Sequence, residues 1–163
     1  MSTTAHEIGL EGLDALGGVD ALLLFVGEDE RPLQGSAGYV DWRLCGQLSR
    51  LLEAGFFTGA AGDSLLLPSD GRLPPARIFA VGLGRREALD EARLKAVLAE
   101  AARVLTKAGA QSVALEVPGA ERVDDAARAA ALQRAFLPAF AGKRVALLAD
   151  KAFVRLLPAD TRS

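Results

Sequence analysis

Gly82, Leu83 and Gly84 stand between an apolar segment and a charged one, within Arg-Ile-Phe-Ala-Val-Gly-Leu-Gly-Arg-Arg-Glu-Ala-Leu-Asp-Glu at residues 77–91. Glycines between a strand and a helix let the backbone turn tightly and admit a phosphate close to the helix N-terminus. Arg85 follows at once and can pair with an anion. Gly82, Gly84 and Arg85 are therefore the candidate ligand-binding residues, for a phosphate or nucleotide. The third glycine of the dinucleotide signature falls at Glu87. Glu87, Asp90 and Glu91 also place negative charge where a phosphate would sit. The turn reads first as a plain strand-to-helix connection and second as an anion site.

Other reactive residues are sparse. Gly35-Ser36-Ala37-Gly38 is glycine-rich but is not the G-x-S-x-G nucleophile elbow. His6 is the only histidine, so any Ser-His-Asp arrangement has to use it. It reads as an exposed or edge-strand residue. Cys45, the only cysteine, lies beside the apolar stripe of an expected helix and reads as a small core residue. No H-E-x-x-H occurs, and no catalytic or metal-ligating residue is expected. Glu28-Asp29-Glu30 reads as a solvated loop, and Asp124-Asp125 as a helix cap. Trp42 suits either a surface anchor or a cap on the core.

The elements that position these residues alternate. Residues 21–26 form an unbroken apolar run, as in a strand covered on both faces. Residues 27–38 read as a loop. The spacing of Val40, Leu44, Leu48, Leu51 and Leu52 predicts a helix over 39–54, stopped by Gly55. Strands are expected at 64–67, 77–81, 112–117 and 144–149. Helices are expected at 87–107 and 124–141, the second bent or ended early by Pro138. Residues 152–157 suit either an edge strand or a helical turn. Residues 1–157 make one domain and 158–163 a short loose tail. The fold class is α/β: a three-layer α/β/α sandwich with a mixed, largely parallel sheet.

Bulk properties bound the function. At 163 residues the chain fits one domain, and half of it is hydrophobic. Nineteen basic and 21 acidic residues give a net charge of -2, which offers no broad attraction to nucleic acid or an anionic membrane. A single cysteine permits no internal disulfide and suits a reducing compartment. The N-terminus has no basic and apolar secretory pattern, so a cytoplasmic setting is expected. The initial Met and short tail read as a whole chain.

From 77 to 91 the chain resembles the N-terminal domain of the leucyl (cytosol) aminopeptidase family. The order of features supports this over 20–142: the apolar strand, the helix around Leu44 to Leu52, Gly55-Phe56-Phe57-Thr58-Gly59, and a strand ending in Leu67-Pro68. The resemblance implies a macro-domain-like fold. In that family a separate C-terminal domain supplies the two-metal site, and its N-x-x-T-D-A-E-G-R-L type signature does not occur in these 163 residues. No catalytic residue carries over, so the expectation is no enzyme and no cofactor. The expected function is a stand-alone interaction or regulatory module that binds a peptidase or protease, or associates with itself. Tyr39, Trp42, Phe56 and Phe57 are its candidate exposed contacts. The alternative is a macro-domain-type binder of ADP-ribose or another nucleotide near Gly82 and Gly84.

Overall fold

The computed structural model describes residues 2–161. Six strands form one sheet in the order β1-β6-β5-β2-β4-β3. They are β1 Ser2–His6, β2 Ala21–Val26, β3 Ser64–Pro68, β4 Arg77–Gly82, β5 Ser112–Leu115 and β6 Arg144–Leu148. All neighbours pair in parallel except β3, which runs antiparallel to β4 on one edge. The mixed, largely parallel sheet expected from the sequence is present.

Strand β2 is central and buried along its whole length. Its side chains alternate, because successive residues of a strand point to opposite faces. Ala21, Leu23 and Phe25 enter one core, beneath α4 Glu91–Lys107 and α5 Asp125–Ala131. Leu22, Leu24 and Val26 enter the other, with α1 Leu10–Asp14, α2 Gly35–Arg43 and α3 Gln47–Glu53. Two cores separated by one sheet give the three layers.

The strand starts are fastened by Asp20. Its carboxylate accepts from Arg77 Nε at 3.2 Å and Nη2 at 2.6 Å, and from the Gln111 amide at 3.0 Å. The Asp20 amide donates to Ser112 Oγ at 2.7 Å. One aspartate thus ties β2 to the first residues of β4 and β5.

Three expected elements are redrawn. The single helix over 39–54 is two helices, and the first begins at Gly35, inside the expected loop. The break falls at Cys45 and Gly46, both left-handed with φ of 55° and 80°. Gly46 has no side chain to cap α3, so Asp41 does so from α2, accepting from the Ser49 amide at 3.1 Å. The long helix begins at Glu91 rather than Glu87, because Asp90 accepts from the Arg93 amide at 2.8 Å and sets its start. Beyond α5 the chain passes through a π turn, Leu132–Phe136, and a 3-10 turn, Leu137–Phe140. Pro138 lacks the amide that would continue the α-helix. Leu132, Phe136 and Phe140 still share one buried face, with the two rings stacked at 5.0 Å.

Residues 152–157 take the helical option, α6 Lys151–Arg155, capped by Asp150. Strand β1 escapes the pattern reading because Ser-Thr-Thr-Ala-His carries no apolar run, and it places His6 at the end of an edge strand. Of the expected tail, Ala159–Thr161 form a 3-10 turn, and residues 162 and 163 lie outside the described residues. No helix among the described residues is long and apolar enough to cross a membrane.

Candidate functional site

The carboxyl ends of β2, β4 and β5 converge on one crevice. Helix α2 leaves β2 towards one face of the sheet, whereas α4 and α5 leave β4 and β5 towards the other. Open α/β sheets bind ligands at such switch points.

The glycine turn sits at this end of the sheet, and its amides are all engaged. The Gly82 amide donates to Asp63 O, Leu83 to Val26 O and Gly84 to Gly59 O, each at 2.9 Å. A Cβ on Gly82 would lie 1.9 Å from Ala60 O, and one on Gly59 would lie 2.9 Å from Val26 O. These glycines let three backbone segments cross in contact. Arg85 is exposed and pairs with Glu87 two residues on, which raises the Arg85 pKa.

The acidic run expected as a solvated loop is a loop with Glu28 and Asp29 exposed, but Glu30 is buried and two of its carboxylates hold neighbouring groups. Asp29 accepts from the backbone amides of Arg86 at 2.7 Å and Glu87 at 3.2 Å, and these bonds lower its pKa. Glu30 is 4% exposed and pairs with the Arg86 guanidinium. Burial pushes the Glu30 pKa up against the opposing pull of Arg86. Arg86 also reaches Glu121 at 2.7 Å. Burial pushes the Glu121 pKa up, but Arg86, the Glu121 backbone amide and Arg128 together leave it lowered. Arg86 therefore staples the loops after β2, β4 and β5.

Across the crevice, Glu116 follows β5 directly. Its Oε2 accepts from the Ser36 amide at 2.9 Å and the Ser36 hydroxyl at 2.6 Å, on the first turn of α2. The space left among Phe25, Gln34, Ser36, Arg86, Glu116 and Pro118 is about 40 Å³. That is room for a few waters, far below the roughly 300 Å³ at which ligand pockets begin. Sequence reasoning missed Ser36, Glu116 and Arg86. The one signal for Glu116 is an acidic residue at the carboxyl end of a buried strand.

The aromatic candidates divide. Tyr39 and Trp42, three residues apart on α2, are 42% and 69% exposed and line a groove of about 560 Å³ with Leu10, Leu33 and Gly38. Phe56 is 72% exposed. Phe57, expected at the surface, is fully buried, packed in the same core as Leu48, Leu52 and Val26. Cys45, expected in the core, is exposed, since the left-handed break between α2 and α3 turns it outward. Its Sγ accepts from Arg72 Nη1 at 3.0 Å. Among the described residues no group of three or more His, Cys, Asp and Glu is placed to hold a metal.

This architecture has counterparts. The chain superposes on a tomato leucine aminopeptidase variant with a TM-score of 0.65 and 18% identity, covering 96% of this chain and 34% of that one. It superposes on a Trypanosoma brucei macrodomain in complex with ADP-ribose with a TM-score of 0.68 and 14% identity, covering 94% and 66%. At these identities the likeness is one of fold. In sequence it is 31% identical over 97 residues to a probable cytosol aminopeptidase of Alkaliphilus metalliredigens, covering 60% of this chain and 19% of that protein. It is 37% identical over 92 residues to a probable cytosol aminopeptidase of Geobacter sp. strain M21, covering 56% and 19%. The chain thus spans about a fifth of the length of these relatives. The model of the cytosol aminopeptidase family, N-terminal domain, matches residues 21–138. With that match over most of its length and the macro-domain-like sheet beneath it, the chain belongs to the cytosol aminopeptidase family, through the family's N-terminal domain.

Proposed function

We propose that this chain is a non-catalytic interaction module that docks a protein surface through the Tyr39 and Trp42 face of α2. The partner is a peptidase or protease that it regulates, or a second copy of the chain. The observation that carries this reading is the exposure of two large aromatic rings one helical turn apart beside an open groove. Tyr and Trp supply large contact area at low entropic cost and dominate binding hot spots. A cytoplasmic setting goes with this reading, because the relatives are described as cytosol aminopeptidases.

The nucleotide reading has less support. Its best argument is the fold likeness to a macrodomain solved with ADP-ribose. Against it stand the engaged amides of Gly82, Leu83 and Gly84 and the pairing of Arg85 with Glu87. Binding to nucleic acid is disfavoured by the net charge of -2.

Sedimentation of the wild type and Trp42→Ala, alone and mixed with a cytosol aminopeptidase from the same organism, tests the proposal. The expected result is an assembly that Trp42→Ala weakens by about tenfold or more. A Trp42→Ala chain that assembles as the wild type does, or a wild type that assembles with neither, overturns it.

A further inference from the structure

We propose that Glu116 is a built-in occupant of the switch-point crevice, an internal carboxylate that takes the place of an anionic ligand. The position it fills is the one an anion favours: the first turn of α2, where backbone amides have no partner within the helix. Ser36 offers both its amide and its hydroxyl there, and Glu116 Oε2 takes both. The contact joins residues 80 apart in the chain. It also depends on a glycine, because a Cβ on Gly35 would lie 2.7 Å from Glu116 Oε2.

The second turn at this end of the sheet is filled in the same way. The amides of Arg86 and Glu87 face the Asp29 carboxylate. Arg86, the cation that lines this space, is already shared between Glu30 and Glu121. Each backbone position named here that suits a phosphate therefore holds a carboxylate of the chain itself. An incoming anion meets occupied donors and the charge of the occupants, with about 40 Å³ of room beside Ser36 and Glu116. A more open space of about 350 Å³ adjoins it at Gln34 and Arg86, and is lined by the carboxylates of Asp29, Glu30 and Glu121. At Ser36 the crevice is closed from within, so the domain keeps a ligand-binding architecture whose helix-start donors are already taken. This inference does not rest on the aromatic face, and either can stand alone.

The test is thermal unfolding and calorimetric titration of the full chain with inorganic phosphate, acetate and ADP-ribose, against chloride at matched ionic strength. Wild type, Glu116→Ala and Glu116→Gln are compared. The wild type is expected to show no anion-specific stabilisation and no heat of binding. Glu116→Ala is expected to be less stable and to gain binding of acetate or phosphate at least about tenfold over the wild type. Glu116→Gln keeps the shape and one acceptor oxygen, and is expected to exclude both anions. If Glu116→Ala does not fold, acetate or phosphate added during refolding should recover it where chloride does not. Binding of any of the three probes by the wild type overturns the proposal. So do a Glu116→Ala chain indifferent to anions, entry of phosphate into Glu116→Gln, and a refolding that no anion rescues.

Discussion

The carbonyl oxygen of Ala60 lies 1.9 Å from where a Cβ on Gly82 would be. The glycine that opens the strand-to-helix turn is there to let the segment around residues 59 and 60 cross β4 in contact. Its amide donates to Asp63 O on the same segment. Backbone atoms cannot step aside as a flexible side chain can, so the contact leaves no room for a methyl group.

Gly82→Ala is accordingly expected to cost at least about 3 kcal/mol of unfolding free energy, or to prevent folding. Gly84→Ala is a contrasting case. Its Cβ would find its nearest neighbour at 3.6 Å, but its φ is 73°. Only the left-handed strain of about 1–2 kcal/mol applies. Denaturant titration of the two variants should separate them in this order.

Phe56 and Phe57 are adjacent and opposite in fate. Phe57→Ala removes a fully buried ring and is expected to cost about 3–5 kcal/mol. Phe56→Ala, at an exposed position, is expected to stay within about 0.5 kcal/mol of the wild type. Equal losses in denaturant midpoint would contradict the placement.

Asp41 caps α3 from a different helix. Asp41→Ala should cost about 1 kcal/mol. Hydrogen exchange is expected to quicken at the Ser49 amide and remain unchanged in β2, because the loss is local.

Asp20 and Glu30 give pH dependences of opposite sign. The hydrogen bonds from Arg77 hold the Asp20 pKa below its ordinary value, against a smaller effect of burial. Its contribution is present above the ordinary carboxylate value and is lost as pH falls through the lowered one. Burial holds the Glu30 pKa above its ordinary value. Its contribution is full below that value and is lost as pH rises through the raised one. Unfolding free energy measured across the acid range should therefore fall more gently with acidification in Asp20→Asn than in the wild type. Relative to Glu30→Gln, the wild type should lose stability as pH rises towards neutrality.

Much of the architecture was legible in the chain. The apolar run at Ala21–Val26 marks a strand buried on both faces, and the alternation of such runs with helical spacing marks a layered α/β domain. The spacing of Leu94, Leu98, Ala101 and Leu105 marks α4, and all four are buried. Strand β1 was not legible, because its threonines pair along an edge without an apolar pattern. The break at Cys45 and Gly46 was hidden because Leu44, Leu48 and Leu52 keep helical spacing across it and all are buried. The site was less legible still. Nothing local distinguishes Glu28, Asp29 and Glu30, although Asp29 caps a turn and Glu30 is buried.

Sequence alone determined the layers and the parallel core of the sheet, because periodicity and local turn chemistry are properties of neighbouring residues, and the order of its motifs carried the resemblance to the family. Tertiary structure alone decided what the Gly82-Leu83-Gly84 turn is for and what fills the crevice beside it. Those answers depend on Ala60, Asp63, Ser36 and Glu116, residues brought together across the fold. A free amide and an engaged one have the same sequence, and only the position of the distant carbonyl or carboxylate tells them apart.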